Sequence, residues 1–151
     1  MDRASLLSLL SEEKNLLQYL IELSLDEREG IINGDMELIV SSRAKKEEAG
    51  DRLKRLEARR IALAGRETLS EAAASLPETE RRELLALGEE IKKLARRVKA
   101  LNTTNIFLLK KDLAYLKHLE EKAFSRLTAL PYNGKGQLRK ASRESLTSMM
   151  A

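Results

Sequence analysis

The residues able to do bond-making chemistry are few in this chain and poorly spaced for it. His118 is the single histidine and there is no cysteine. Thiolate metal sites and sites built from paired histidines on helices are therefore out of reach. Glu120 and Glu121, its nearest acids, miss the i, i+4 spacing that would bring a second helical ligand beside it. A surface position is expected for His118. Gly134-Lys135-Gly136 is too short and wrongly flanked for a phosphate loop, and neither a dinucleotide fingerprint nor a nucleophile elbow occurs. Carboxylates are plentiful, but without an aromatic-lined pocket they read as solvating charges. No enzyme and no cofactor are expected.

What remains is recognition through apolar surface, and the composition says which elements must present it. Of 151 residues, 42% are hydrophobic, only 3% are aromatic and 34% are charged. That usage belongs to long helices or coiled coils, with one modest core. The net charge of +4 and pI near 9.4 invite a nucleic-acid reading. Most Lys and Arg, however, alternate with Glu at helical spacing, as in Glu47, Glu48, Arg52 and Glu89, Glu90, Lys93, which describes a solvated helix face. No stacking platform or reading motif accompanies the charge, so nucleic acid is not an expected partner. Apolar runs do not exceed four residues, far short of a membrane span, and no signal-peptide core follows Met1. The expected location is cytoplasmic, with no membrane insertion.

Hydrophobic periodicity predicts three helical segments and a short link. Leu6, Leu9, Leu10, Leu16, Leu17, Leu20, Ile21 and Leu23 recur at three and four, defining a first helix over about 4–32. Asn33-Gly34 tolerates positive φ and stops it, and Asp35 can cap the next helix. A turn this short makes the two helices antiparallel neighbours. The second, over about 36–64, starts with Met36, Ile39 and Val40 but between Ser41 and Asp51 offers only Ala44 and Ala49 as apolar residues. That stretch packs loosely, packs closely through small side chains, or lies exposed. Thr68 with Glu71, and Ser75 with Glu78, each fit a reciprocal capping box, and Pro77 suits a first helical turn. They predict a short helix over 69–75 and a long third helix over 78–130. The fold class is all-α: an antiparallel hairpin plus a long coiled-coil-like third helix, as in a three-helix bundle, with a short linking helix.

The third helix carries the candidate site. Leu84, Leu87, Ile91, Leu94, Val98, Leu101, Asn105 and Leu108 alternate steps of three and four, a coiled-coil-like seam. Asn105 is its polar exception, either a satisfied buried amide that fixes register or a binding group. Ile106-Phe107-Leu108-Leu109 then spreads apolar side chains over successive 100° steps, and a second stripe opens through Ile106, Leu109, Leu113, Leu116, Ala123, Leu127 and Leu130. At about 1.5 Å per residue this helix would extend roughly 75 Å against about 45 Å for each of the others. The surplus apolar length bends back, pairs with another copy as a homodimer, or receives a different protein.

The order of these features resembles the FlgN family of flagellar export chaperones. The residues that carry the likeness are the Leu-rich first helix, the turn Asn33-Gly34-Asp35-Met36-Glu37-Leu38, the charged second helix, Leu101-Asn102 with Asn105, and Tyr132-Asn133-Gly134-Lys135-Gly136-Gln137. The resemblance covers nearly the whole chain. It implies a small cytoplasmic chaperone that holds hook-associated (hook-filament junction) proteins by an amphipathic C-terminal helical segment and delivers them to the flagellar export apparatus. The expected cargo site is Asn105, Ile106, Leu109, Leu113, Leu116 and Leu127, accepting a partner helix through i, i+3, i+4 and i+7 anchors. A self-associating coiled-coil adaptor without an export role is the alternative.

Residues 1–130 are thus read as the helical chaperone domain and 131–151 as a basic flexible tail. The tail holds Lys135, Arg139, Lys140 and Arg143 against Glu144, and one aromatic residue, Tyr132, between Pro131 and Gly134. A buried tyrosine can dominate a small interface, which makes Tyr132 the expected docking residue for the export apparatus.

Overall fold

The computed structural model describes residues 3–65 and 67–129. They form four helices and no strand: α1, Arg3–Asn33; α2, Met36–Ala64; α3, Leu69–Ala74; and α4, Glu78–Ala129. The all-α class and the order of the elements agree with the sequence reading. The basic tail, with Tyr132, lies outside the described residues. By its contacts the chain divides into two compact units, Met1–Ile106 and Phe107–Ala151. The first holds the hairpin, α3 and α4 as far as Ile106, and the second holds the rest of α4.

The α1–α2 turn is fixed by its backbone. Gly34 sits at φ +68°, where an L side chain would be strained. The Asp35 N–H donates to Gly30 O at 2.8 Å and the Gly34 N–H to Ile31 O at 3.4 Å. Those two bonds make a Schellman motif, satisfying carbonyls that the end of α1 would otherwise leave free. Asp35 then caps α2, its carboxylate accepting the Leu38 N–H at 3.1 Å. Just before the turn the helices come together at Gly30. A Cβ there would lie 2.9 Å from Ile39 Cγ1 and 3.1 Å from Asp35 O. No larger residue fits without moving the start of α2.

In the first unit, Leu9, Leu16, Leu17, Leu20 and Leu23 of α1 pack with Ala49 and Leu56 of α2, joined by Leu53, Ile91, Leu94 and Val98. A second cluster of Leu6, Leu10, Ala72, Ala73 and Leu84 binds α3 to the beginnings of α1 and α4. The middle of α2 resolves as close packing through small side chains, with Ser42 and Ala49 both buried. Thr68 and Glu71 form the expected reciprocal capping box at α3. The second box, Ser75 with Glu78, does not form. Ser75 ends α3 instead, its hydroxyl donating to Ala72 O at 3.1 Å. Pro77 stands just before α4, its carbonyl accepting the Arg81 N–H at 2.9 Å.

A polar layer crosses this bundle. Asn105 is 0% exposed. Its Nδ2 donates to the Ser24 carbonyl at 2.8 Å, and its Oδ1 accepts from Arg28 Nε at 3.2 Å. Alongside, Asn102 Oδ1 accepts from Lys46 Nζ at 2.6 Å, and lies 3.3 Å from Ser24 Oγ, which donates to Leu20 O at 2.7 Å. Lys46 also lies 3.4 Å from buried Glu27. All three long helices of the unit thus meet through hydrogen bonds at one level. Asn105→Ala should lower stability by about 1–3 kcal/mol, from the loss of two hydrogen bonds at about 0.5–1.5 kcal/mol each at a wholly buried position. Urea unfolding followed by circular dichroism measures it, and an unchanged midpoint would deny the layer its structural role.

A second buried acid sits further toward the α3 end. Glu13 is nearly enclosed, with Arg60 Nε 2.9 Å from its carboxylate. Burial raises its pKa above the ordinary 4.5, outweighing the opposing hydrogen bond and charge of Arg60. The folded chain therefore holds this proton more tightly than the unfolded chain. Its contribution to stability is fully present below pH 4.5 and is lost as pH rises through the raised value. Glu13→Gln mimics the protonated acid at every pH. The variant should resist urea better than the parent at pH 7, and the two should converge below pH 4.5. A parent more stable than the variant at pH 7 would show that the pair with Arg60 outweighs desolvation.

Candidate functional site

Beyond the polar layer, α4 keeps its apolar residues and exposes them. At 100° per residue Leu109, Leu113, Leu116, Ala123 and Leu127 share a sector about 80° wide, with Ile106 at its edge. Leu113 is 65% and Leu116 57% exposed, and Ile106 is also exposed. Leu109, Ala123 and Leu127 are half-buried. Leu119 on the flank is exposed too, as are Tyr115 further round the helix and Phe107, 63% exposed, on nearly the opposite side. Isolated exposed leucines are ordinary, but a row at helical spacing is the surface an amphipathic partner helix would cover. Composition and periodicity explain why this stretch is helical. Leu, Lys, Glu and Ala dominate it, all strong helix formers, and Arg126 lies in its last turn.

The sequence-predicted residues separate into three groups. Ile106, Leu113 and Leu116 lie open, while Leu109 and Leu127 lie half-covered along the same helix face. Asn105 stands apart from them. Its amide is wholly inside and committed to Ser24 and Arg28, so it reaches no partner while the fold is intact. Tyr132 falls outside the described residues. His118 is exposed, and among the described residues no group of acids and His118 is arranged to hold a metal ion.

Three further apolar residues escaped the sequence reading. Met36 and Val40 looked like the opening of α2's packed face, yet they are 68% and 59% exposed, and Ile32 is 69% exposed. Only Ile39 of that group turns inward. The signal was present in the spacing. Met36 and Val40 are four apart and share a face, whereas Ile39 falls with Ser42, Ala49 and Leu56 on the buried side of α2.

The sequence matches the family described as FlgN protein over residues 1–140, a span that takes in all four helices. No curated protein and no solved structure matches it significantly. The family is one of chaperones in flagellar assembly rather than of enzymes. Among the described residues no helix is long and apolar enough to cross a membrane. With a match over nearly its whole length and the expected helical architecture, the chain belongs to the FlgN family of flagellar export chaperones.

Proposed function

We propose that this chaperone acts in the cytoplasm, binds the C-terminal helical segment of a hook-associated protein along the exposed face of α4, and hands it to the export apparatus. The observation that carries the reading is the row of apolar side chains on α4, with Leu113 and Leu116 more than half exposed. A cargo helix laid along that row would hide its own apolar face and could not associate prematurely. Affinity would come from burial, at about 25 cal/mol per Å² of apolar area before association and ordering costs. No nucleotide is required for such a clamp.

The same row could pair two copies of the chain, so the test must separate the two readings. Leu109, Leu113 and Leu116 replaced together by Ser should weaken binding of a hook-associated protein's C-terminal segment by more than tenfold in calorimetry. Helical circular dichroism and the unfolding midpoint should change little, because Leu113 and Leu116 contribute little to any core. Unchanged affinity would remove this face from the cargo site. A parent chain that sediments as a dimer, and a triple variant that sediments as a monomer, would favour self-association.

Delivery is assigned to Tyr132. In the sequence it stands between Pro131 and Gly134, residue types that interrupt helices. Tyr132→Ala should leave cargo affinity near normal and reduce secretion of the cargo from cells carrying the variant chaperone. Loss of one buried tyrosine from a small interface costs on the order of 2 kcal/mol, some thirtyfold in affinity, large for a transient docking step. Normal secretion would leave Tyr132 without a docking role, and lost cargo binding would move it into the cargo site.

A further inference from the structure

The tip of the α1–α2 hairpin combines two features that the cargo reading does not use. Ile32, Met36 and Val40 are each more than half exposed there. Around them stand Asp26, Glu29, Asp35 and Glu37, all exposed. Between residues 26 and 42 the only base is Arg28, and it is half-buried with its Nε on Asn105. Glu27, the remaining acid, is turned inward to Lys46. In a chain whose net charge is +4, the tip therefore carries four solvent-facing carboxylates, and the first exposed cation beyond them is Arg43, three residues after Val40 and 3.9 Å from Glu27.

The tip is also held in shape before any partner arrives. The Schellman bonds, the Asp35 cap and the close approach at Gly30 fix the end of α1 against the start of α2. An apolar patch on a rigid turn costs less to bury than one on a loop that must first be ordered. Met36 adds an adaptable thioether that moulds to different apolar surfaces.

We propose that the hairpin tip is a second docking surface, and that its partner is a basic amphipathic segment of another protein. An apolar anchor would cover Ile32, Met36 and Val40, while Lys or Arg on its flanks would face Asp26, Glu29 and Glu37. Charge selects the partner here. An acidic amphipathic helix would bury the same apolar area and meet like charges, and a neutral one would gain no attraction from them. The residues of this site are distinct from those of the α4 face, so the two surfaces can be altered separately.

The probe is a fluorescein-labelled amphipathic peptide of Leu and Lys, compared with its counterpart in which every Lys is Glu. Anisotropy titrations would use the full chain at low and moderate salt. The triple Leu109, Leu113 and Leu116 variant serves as background, so that failure of the α4 reading does not affect the result. The Lys peptide should bind at least tenfold more tightly than the Glu peptide. Met36→Ser with Val40→Ser should abolish that binding, and so should Glu29→Lys with Glu37→Lys. The control Glu47→Lys with Glu48→Lys makes the same charge change on α2 away from the tip, and should retain it. Equal loss in the control pair would reduce the effect to overall charge and overturn the proposal. So would equal affinity for the two peptides. Tighter peptide binding after Lys135, Arg139, Lys140 and Arg143 are all changed to Gln would identify the chain's own basic segment as the occupant, and would overturn the assignment to another protein. Retained circular dichroism in each variant confirms that the fold is unchanged.

Discussion

The hydrogen bond from the Asn105 side chain to the Ser24 carbonyl is the constraint around which the first unit is arranged. Leucine seams alone tolerate sliding, because one heptad of Leu resembles the next and burial is non-directional. A buried amide does not tolerate it. Asn105 has a donor and an acceptor to satisfy, and only one register brings the Ser24 carbonyl and Arg28 Nε to it together. Ser24 Oγ and Asn102 continue the layer, and Lys46 closes it from α2. Sliding α4 out of this register would take the wholly buried Asn105 amide away from both partners, and an unpaired amide in low dielectric is costly. The layer therefore favours one alignment of α4 on the hairpin over its neighbours by penalising them.

That alignment dictates features elsewhere. Lys46 can reach Asn102 and Glu27 because the middle of α2 carries small side chains, Ser42 and Ala49, on its buried side. Bulky residues there would hold α2 away and leave Glu27 buried without its cation. Gly30 serves the same closeness one turn before the hairpin bend. The apparent weakness of α2, a run with few large apolar residues, is thus what lets the charged layer close. Further toward α3, Glu13 with Arg60 places another ion pair at the α1–α2 contact. Burial raises the Glu13 pKa despite Arg60, so the charged form is held at some cost in stability.

Much of this was legible in the sequence. The four helices and the stop at Asn33-Gly34 followed from local chemistry, where periodicity, turn residues and caps agree. The Thr68–Glu71 box formed and the Ser75–Glu78 box did not, because a capping pattern says only that the reciprocal bonds are available. Ser75 found Ala72 O first. The polar layer was half legible. Asn105 stood out as the polar member of an apolar seam, but its partners, Ser24 and Arg28, lie some eighty positions away and nothing local points to them. Exposure was the least legible property. Leu94 and Leu113 belong to similar patterns on one helix, yet Leu94 joins the core and Leu113 lies open. Periodicity reports which face a residue occupies and cannot report whether another element covers that face.

Two exposed apolar surfaces on one small protein raise the question of what keeps their partners apart. Hydrophobic burial cannot do so, since it depends on area and scarcely on identity. The charges beside the two surfaces differ. Along the second unit, from Phe107 to Ala129, Lys110, Lys111, Lys117, Lys122 and Arg126 outnumber Asp112, Glu120 and Glu121. Between residues 26 and 42, at the hairpin tip, the exposed charges are the carboxylates of Asp26, Glu29, Asp35 and Glu37, with Arg43 the first exposed cation beyond them. A partner helix therefore meets opposite fields at the two places, and the mismatch of a wrongly placed one is worth more than small differences in apolar fit. If both proposed surfaces are used, such opposition is a sufficient sorting rule. It requires no conformational signal between the sites, only the sign of the charge that each partner presents.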